Sequence, residues 1–251
     1  MRIVLPSNSS LDYFPDNSLA KYTVKLPQHL DFSDGNWEVG VMEVMFYKSW
    51  HNLQDGAKIY ITKGDQQNVV NIPSGYYRTM SELCLKMNTC MQQQLPASLR
   101  DVVVYAFDDQ TQITTVSMRS GTGCMVDYSP VLRSVMGGAD GVLSTTFRDG
   151  GADFQVKASL TNIFDVMLYS DIATPTQVVG DIETNLLRAI PVQGKHWEMQ
   201  WTPFTMIQYI PVSPSKVNTI TVYLYTDWGE PIPFLSGRTS ITLDFRKRST
   251  L

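Results

Sequence analysis

The chain has 251 residues and a formal net charge of −4, from 24 acidic and 20 basic side chains, which excludes a main role built on neutralising nucleic-acid phosphates. An apolar content of 43% excludes global disorder, and charged residues are only 18% of the total, so the surface draws much of its polarity from Ser, Thr, Asn, Gln and backbone. No stretch reaches the ~18 consecutive apolar residues of a membrane span.

The first elements read as follows. The run Ile3-Val4-Leu5 is too short for a signal peptide, so the chain is expected to be made without secretion. Residues 1–19 carry Pro and Ser and read as an extended N-terminal arm that orders on docking. Ala20 to Leu26 alternates Tyr22, Val24 and Leu26 with Lys21, Thr23 and Lys25, the period of a half-buried strand. Ser33-Asp34-Gly35-Asn36 is a turn. Trp37 to Phe46 follows as a strand with apolar residues on both faces: Trp37, Val39, Val41 and Met45 on one, Met42, Val44 and Phe46 on the other.

Lys58–Thr62 and Asn68–Ile72 flank the turn Lys63-Gly64-Asp65. A helix is then predicted from Thr79. That residue and Glu82 form a T-x-x-E capping box, and Met80, Leu83, Met87 and Met91 make one apolar stripe that ends before Pro96. A hairpin joins Val102–Phe107 to Gln112–Met118. A second, short helix opens with Ser129 as cap and Pro130 in its first turn, and Gly137-Gly138 stops it.

The later strand candidates are Phe154–Leu160, Asp165–Tyr169, Gln177–Val179, Leu186–Pro191, Met206–Val212, Asn218–Tyr225 and Thr239–Phe245. Many short strands, two helices and no strand–helix–strand alternation mean an all-β sandwich or barrel. The expected partition is the arm at 1–19 and one domain at 20–251, with an insertion at about 74–136 that holds both helices.

The residues point to no catalysis, metal or cofactor. His29, His51 and His196 have no partner at metal-ligand spacing. No G-x-S-x-G elbow occurs, and Ser120-Gly121-Thr122-Gly123 lacks the Gly-Lys-Ser/Thr end of a phosphate loop. Asp108, Asp109 and Asp140 lack the spacing of a calcium loop and read as turn residues. Asp181 and Glu183 would share a strand face, with no third group to make them an acid/base pair. Cys84, Cys90 and Cys124 are expected to be reduced thiols, with Cys84 and Cys90 on different faces of the helix. Arg246-Lys247-Arg248 reads as a solvated tail, so no specific nucleic acid is expected. The aromatics outside regular strands say more. Phe14, Trp50, Trp201 and Trp228 are candidates for subunit interfaces, because aromatic side chains anchor interface cores.

Several blocks share a family's order: Leu5-Pro6-Ser7-Asn8-Ser9-Ser10, Phe14-Pro15-Asp16-Asn17, Tyr22-Thr23-Val24-Lys25-Leu26-Pro27, Trp37-Glu38-Val39-Gly40, Ile72-Pro73-Ser74-Gly75-Tyr76-Tyr77, Gln208-Tyr209-Ile210-Pro211-Val212 and the segment from Gly229 to Arg246. Together they resemble the minor capsid (penton) protein of Polinton/Maverick elements and adintoviruses. Trp228 and Asp244 depart from that pattern. The resemblance implies a jelly-roll β-sandwich in the virion, homopentamers at icosahedral vertices, and contact with a double jelly-roll major capsid protein. Two other readings compete with it: a host-resident β-sandwich binding module derived from such an element, and a carbohydrate-binding jelly roll.

Overall fold

The computed structural model describes residues 1–137, 147–148, 154–160 and 162–248. The chain divides into two compact units, Met1–Trp50 with Ile163–Leu251, and His51–Asn162.

The first unit is a two-sheet antiparallel sandwich. Its strands are β1 (Arg2–Pro6), β2 (Lys21–Asp31), β3 (Trp37–Tyr47), β11 (Asp165–Ser170), β14 (Leu186–Pro191), β15 (Met199–Pro203), β16 (Ile210–Pro211), β17 (Lys216–Tyr225) and β18 (Ser240–Lys247). One sheet runs β1-β18-β3-β15, with β16 also on β3, and the other runs β14-β11-β17-β2. Numbered by their order in the sandwich and leaving out the two-residue β16, the strands lie 1-8-3-6 in one sheet and 5-4-7-2 in the other. The first and last strands pair in one sheet, and successive strands cross between the sheets except β11 and β14, which are neighbours in one; this is the double Greek key of a jelly roll. The fold class expected from the sequence is therefore the one observed. A small hairpin, β12 (Gln177–Val179) with β13 (Ile182–Thr184), lies in the β11–β14 connection.

Alternation fills the space between the sheets. Leu5, Ile241, Leu243 and Phe245 face inward from one sheet, and Tyr22, Val166, Leu168, Ile220, Val222 and Leu224 from the other. Tyr22 also joins the layers through its hydroxyl, which donates to the Leu5 carbonyl at 3.0 Å. This corrects the expected arm. Residues 2–6 are strand β1, paired with β18 from Arg2↔Asp244 to Pro6↔Ser240. Leu5 is fully buried. The rest of the 1–19 segment is tied to β2: Asn17 Nδ2 donates to the Thr23 carbonyl, the Thr23 N–H donates to Asn17 Oδ1, and the Lys25 N–H donates to Ser10 Oγ.

A second difference lies in β3. The sequence puts Val39 and Val41 on one face and Val44 and Phe46 on the other. In the structure all four face the core. The pairing with β18 shifts between Thr242↔Glu43 and Leu243↔Val41, so Met42 is an extra residue. Such a bulge inverts the alternation beyond it. On the same strand Gly40 is required by close approach: a Cβ there would lie 2.6 Å from the Gln208 carbonyl oxygen and 2.4 Å from the Ile207 side chain.

The second unit has two sheets of its own. β5 (Gln66–Asn71), β4 (Lys58–Lys63), β8 (Cys124–Tyr128) and β9 (Phe147–Arg148) form one, and β10 (Phe154–Val156), β7 (Ile113–Met118) and β6 (Val103–Asp108) form the other. Helix α1 (Met80–Gln94) has the predicted cap, with Thr79 Oγ1 accepting from the Glu82 N–H at 3.1 Å. The Glu82 carboxylate, however, accepts from the Arg78 N–H at 2.8 Å, one residue before the cap, and not from Thr79 as a capping box would have it. Its buried side includes Cys84 and Cys90 as well as the Met80, Leu83, Met87, Met91 stripe, so both thiols share one core despite their spacing. Helix α2 (Pro130–Val135) has Ser129 as its cap and Pro130 in its first turn. Gly138 and Asp140 lie outside the described residues.

The insertion was expected at about 74–136. The compact unit instead runs from His51 to Asn162, wider at both ends. Asn52 shows why. Its side chain exchanges two hydrogen bonds with the Tyr77 backbone, at 2.8 and 2.9 Å, and Nδ2 also reaches Asn162 Oδ1 at 3.3 Å, fastening the two ends of the unit together.

Candidate functional site

Strand β15 is an edge strand, and Met199-Gln200-Trp201-Thr202-Pro203 carries no charge. An uncharged edge with large apolar side chains is a ready surface for another chain. Trp201 is 59% exposed and Met199 51% exposed, both on the outward face, with Met199 opposite Tyr47 and Trp201 opposite Met45. Trp197, two residues before the strand, is 53% exposed and has φ 65°, a left-handed backbone that only special contexts hold in a bulky residue.

Polar contacts fix this strip. Trp201 Nε1 donates to Glu43 Oε2 at 3.0 Å, and Thr242 Oγ1 donates to Glu43 Oε1 at 2.9 Å. These two donors hold the Glu43 carboxyl below the usual carboxylate range. On the inward face Gln200 is buried. Its Nε2 donates to the Pro191 carbonyl at 2.8 Å, and its Oε1 accepts from the Gln193 N–H at 2.8 Å. The connection before β15 is held by Lys48, whose Nζ donates to the Gly194 carbonyl at 2.6 Å and whose backbone pairs with Trp197 and Glu198. Partial burial lowers the Lys48 pKa. The aromatic strip is thus presented on a locked backbone, so little conformational entropy is lost when a partner covers it.

The four sequence candidates separate. Trp201 heads the strip. Trp228 is 51% exposed in the β17–β18 connection, a turn closed by Thr226, whose N–H donates to the Glu230 carbonyl at 2.8 Å. Phe14 is half-buried in the β1–β2 connection, with its N–H on the Ser10 carbonyl. Trp50 does not fit an exposed interface role. It is 2% exposed, and its indole packs edge-on against Phe234 at 5.7 Å and beside Phe46 at 6.3 Å. The residues after β3 turn inward, so a position that looks like a strand end in the sequence is core. Trp197 and Met199 were missed because no strand was expected at 199–203. The signal was present as the alternation Trp197, Met199, Trp201 around buried Gln200.

Among the described residues no group of three or more His, Cys, Asp or Glu side chains is placed to hold a metal ion. Asp181 lies in the turn of the β12–β13 hairpin, and Glu183 is exposed on β13. Asp108 serves a turn, accepting from the Gln110 N–H and Thr111 Oγ1, each at 2.8 Å.

No protein-family model matches the chain, and no curated protein matches it. Among solved structures the chain is similar to the mavirus penton protein, at 11% identity over 98% of this chain and 99% of that one, with a TM-score of 0.49. It is also similar to a two-domain portion of the flagellar cap protein of Escherichia coli, at 12% identity over 98% of each chain, with a TM-score of 0.25. The jelly-roll assignment stands on the strand order itself.

Proposed function

We propose that this chain is a structural subunit of a virus shell, a minor capsid (penton) protein of the Polinton/Maverick and adintovirus kind. It closes into homopentamers at icosahedral vertices and contacts a double jelly-roll major capsid protein. On this reading it is no enzyme, needs no cofactor, binds no specific nucleic acid and resides in the virion. One observation carries the proposal: a jelly roll whose exposed edge strand β15 bears an uncharged, locked Trp–Met strip. The order of sequence blocks that resembles the penton family supports the same role.

The physics is that of a self-contained brick. Both sheets bury their inner faces within one chain, so the subunit stays soluble before assembly. A ring of five sets one patch of each copy against a different patch of the next, and rotation closes the set. The strip around Trp201 has the composition of an interface core, and Glu43, itself held by the buried Thr242, fixes the Trp201 indole. Each contact need not be strong, since a shell multiplies weak interfaces.

Light scattering and negative-stain imaging of the purified chain, alone and co-expressed with a double jelly-roll major capsid protein, test the proposal. Fivefold rings, or vertices occupied in assembled shells, are expected. Trp201→Ala should lower that occupancy while leaving the unfolding midpoint near the parent's. A chain that stays monomeric alone and is absent from shells overturns the proposal.

A further inference from the structure

The other sheet carries a different feature on its outer face. There β17 points Thr221, Tyr223 and Tyr225 outward, while Ile220, Val222 and Leu224 point into the core. Strand β11 places Tyr169 opposite Tyr223 and Met167 opposite Tyr225. The three tyrosines form one platform: Tyr169 and Tyr225 lie 5.9 Å apart at 52°, and Tyr223 and Tyr225 lie 6.0 Å apart at 64°. The β12–β13 hairpin borders this platform, and together they line an open, shallow cleft of about 620 Å³, whose wall includes Ile182, Glu183 and Asn185. That size suits a small organic ligand.

We propose that this cleft is a binding site for a neutral oligosaccharide. A pyranose has one face of weakly positive C–H groups and a girdle of hydroxyls. The C–H face is attracted to the negative face of an aromatic ring. The hydroxyls need donors and acceptors at the rim, and the cleft supplies both. Burial raises the pKa of Tyr169 and Tyr223, with the Asp171 carboxylate adding to the effect at Tyr223, so both phenols remain O–H donors at neutral pH. Glu183 offers a carboxylate that can accept from two neighbouring hydroxyls. Asn185 is fixed by its Nδ2 hydrogen bond to the Ser170 carbonyl at 2.7 Å, which sets its amide plane in the cleft wall.

Charge selects against anionic ligands. Glu183 is the charged residue in the lining, and it is negative. Lys21 also reaches this platform, and its ammonium lies 5.6 Å from the Tyr223 ring centroid, engaged by that ring. The framework is also rigid. The turn beside the cleft is closed by hydrogen bonds from the Gly229 N–H to the Thr226 carbonyl at 3.1 Å and from the Glu230 N–H to Thr226 Oγ1 at 3.0 Å. The site lies on the sheet that does not contain β15, and it stands or falls independently of the shell role.

The test is an NMR titration of the full chain with lactose, maltohexaose, cellohexaose and chitohexaose, together with 3′-sialyllactose and a proline decapeptide. At least one neutral oligosaccharide should shift the Tyr169, Tyr223, Tyr225 and Asn185 resonances. Affinity should fall about tenfold in Tyr169→Ala and Tyr225→Ala, the loss expected for one good stacking or hydrogen-bonding contact. Tyr225→Phe keeps the ring and its packing and should lose less, which separates loss of binding from loss of fold. Trp201→Ala should bind as the parent does. The proposal is overturned if none of the four neutral sugars shifts these residues, if only the sialylated sugar or the peptide does, or if binding survives both tyrosine-to-alanine changes.

Discussion

The cores of the two units are built from different materials. Between the sheets of the sandwich the buried apolar residues are Val, Ile, Leu, Phe, Tyr and Trp with two alanines, and neither Met nor Cys is among them. The core of the His51–Asn162 unit holds Met80, Met87, Met91, Met118 and Met136 and all three cysteines. Two regular pleated faces give a repetitive, flat-sided space, which β-branched and aromatic side chains fill in few rotamers. Helix α1, packed on β5 and β6, leaves an irregular space, and unbranched thioethers adapt to such gaps. The difference teaches that the sandwich is specified by shape, whereas the insertion is specified mainly by its polar fastenings: the Thr79 cap, the Asn52 clamp and Asn88, whose side chain exchanges two hydrogen bonds with the Tyr105 backbone.

The harshest way to break this contrast is to remove a shape element from the sandwich. Deleting residues 2–6 strips β18 of one neighbour and leaves the Tyr22 hydroxyl without its Leu5 partner. Burial pushes the Tyr22 phenol far above its ordinary pKa, a sign of how poorly that site solvates a polar group. Loss of the cooperative unfolding transition, followed by circular dichroism in urea, is expected. A deleted chain that unfolds cooperatively at the parent's midpoint would show that β1 is dispensable.

Next come matched core substitutions. Phe46 is fully buried against Trp50 and Phe234, so Phe46→Ala should cost about 3–5 kcal/mol in urea unfolding, the usual range for a large ring lost from a packed core. Met87 is equally buried, yet Met87→Leu should cost under ~1.5 kcal/mol because the surrounding thioethers can readjust. Equal losses for Phe46→Leu and Met87→Leu would erase the distinction between the cores.

The two cores also differed in how readily the sequence revealed them. The period-2 alternation of β2 and β17 and the 3.6 period of α1 were legible, because each element presents a single buried side. The phase of strand β3 beyond Met42 is not legible, since a bulge depends on how β18 pairs with it and leaves no local mark. Strand β1 reads as an arm in the sequence because five residues followed by Pro6 and a Ser-rich turn offer no full period, and its partner lies more than 230 positions away. Of the interface candidates, the exposure of Trp201 and Trp228 is legible from their place outside expected strands. That of Trp50 is not, because its burial is decided by Phe234, far along the chain. The tyrosine platform was hidden for the same reason: Tyr169 meets Tyr223 only through strand pairing.

A smaller effect follows from the sulfur content of the insertion. Burial pushes the Cys84 thiol up to about 11, and the Cys90 thiol is raised as well. Since the thiolate is the reactive form, both should be nearly inert at pH 8 in the folded chain. A chromogenic disulfide reagent should modify Cys84, Cys90 and Cys124 slowly in buffer and rapidly in urea, at rates differing by at least about a hundredfold when reaction waits on opening of the unit. Fast labelling of any one thiol in buffer would mean that the soft core also breathes.

The smallest predicted effect concerns the outer face of the sandwich, where Glu43 joins Trp201 to Thr242. Hydrogen bonds from both lower its pKa in the folded chain. A carboxyl with a depressed folded pKa contributes stability above its unfolded pKa, and loses that contribution as pH falls through the folded value. Glu43→Gln should therefore lower the thermal midpoint slightly at pH 7, and the gap between the variant and the parent should close as pH falls below the ordinary glutamate pKa. Asp31, Asp34 and Asp108 have lowered pKa values too, so the parent curve alone cannot isolate Glu43, but the difference between the two curves does. Tryptophan emission supplies a second readout, since the Trp201 indole N–H donates to this carboxylate and should respond over the same pH window. A gap that instead widens on acidification would mean that the carboxylate strains the strip, leaving the buried Gln200 contacts as what holds β15 in place.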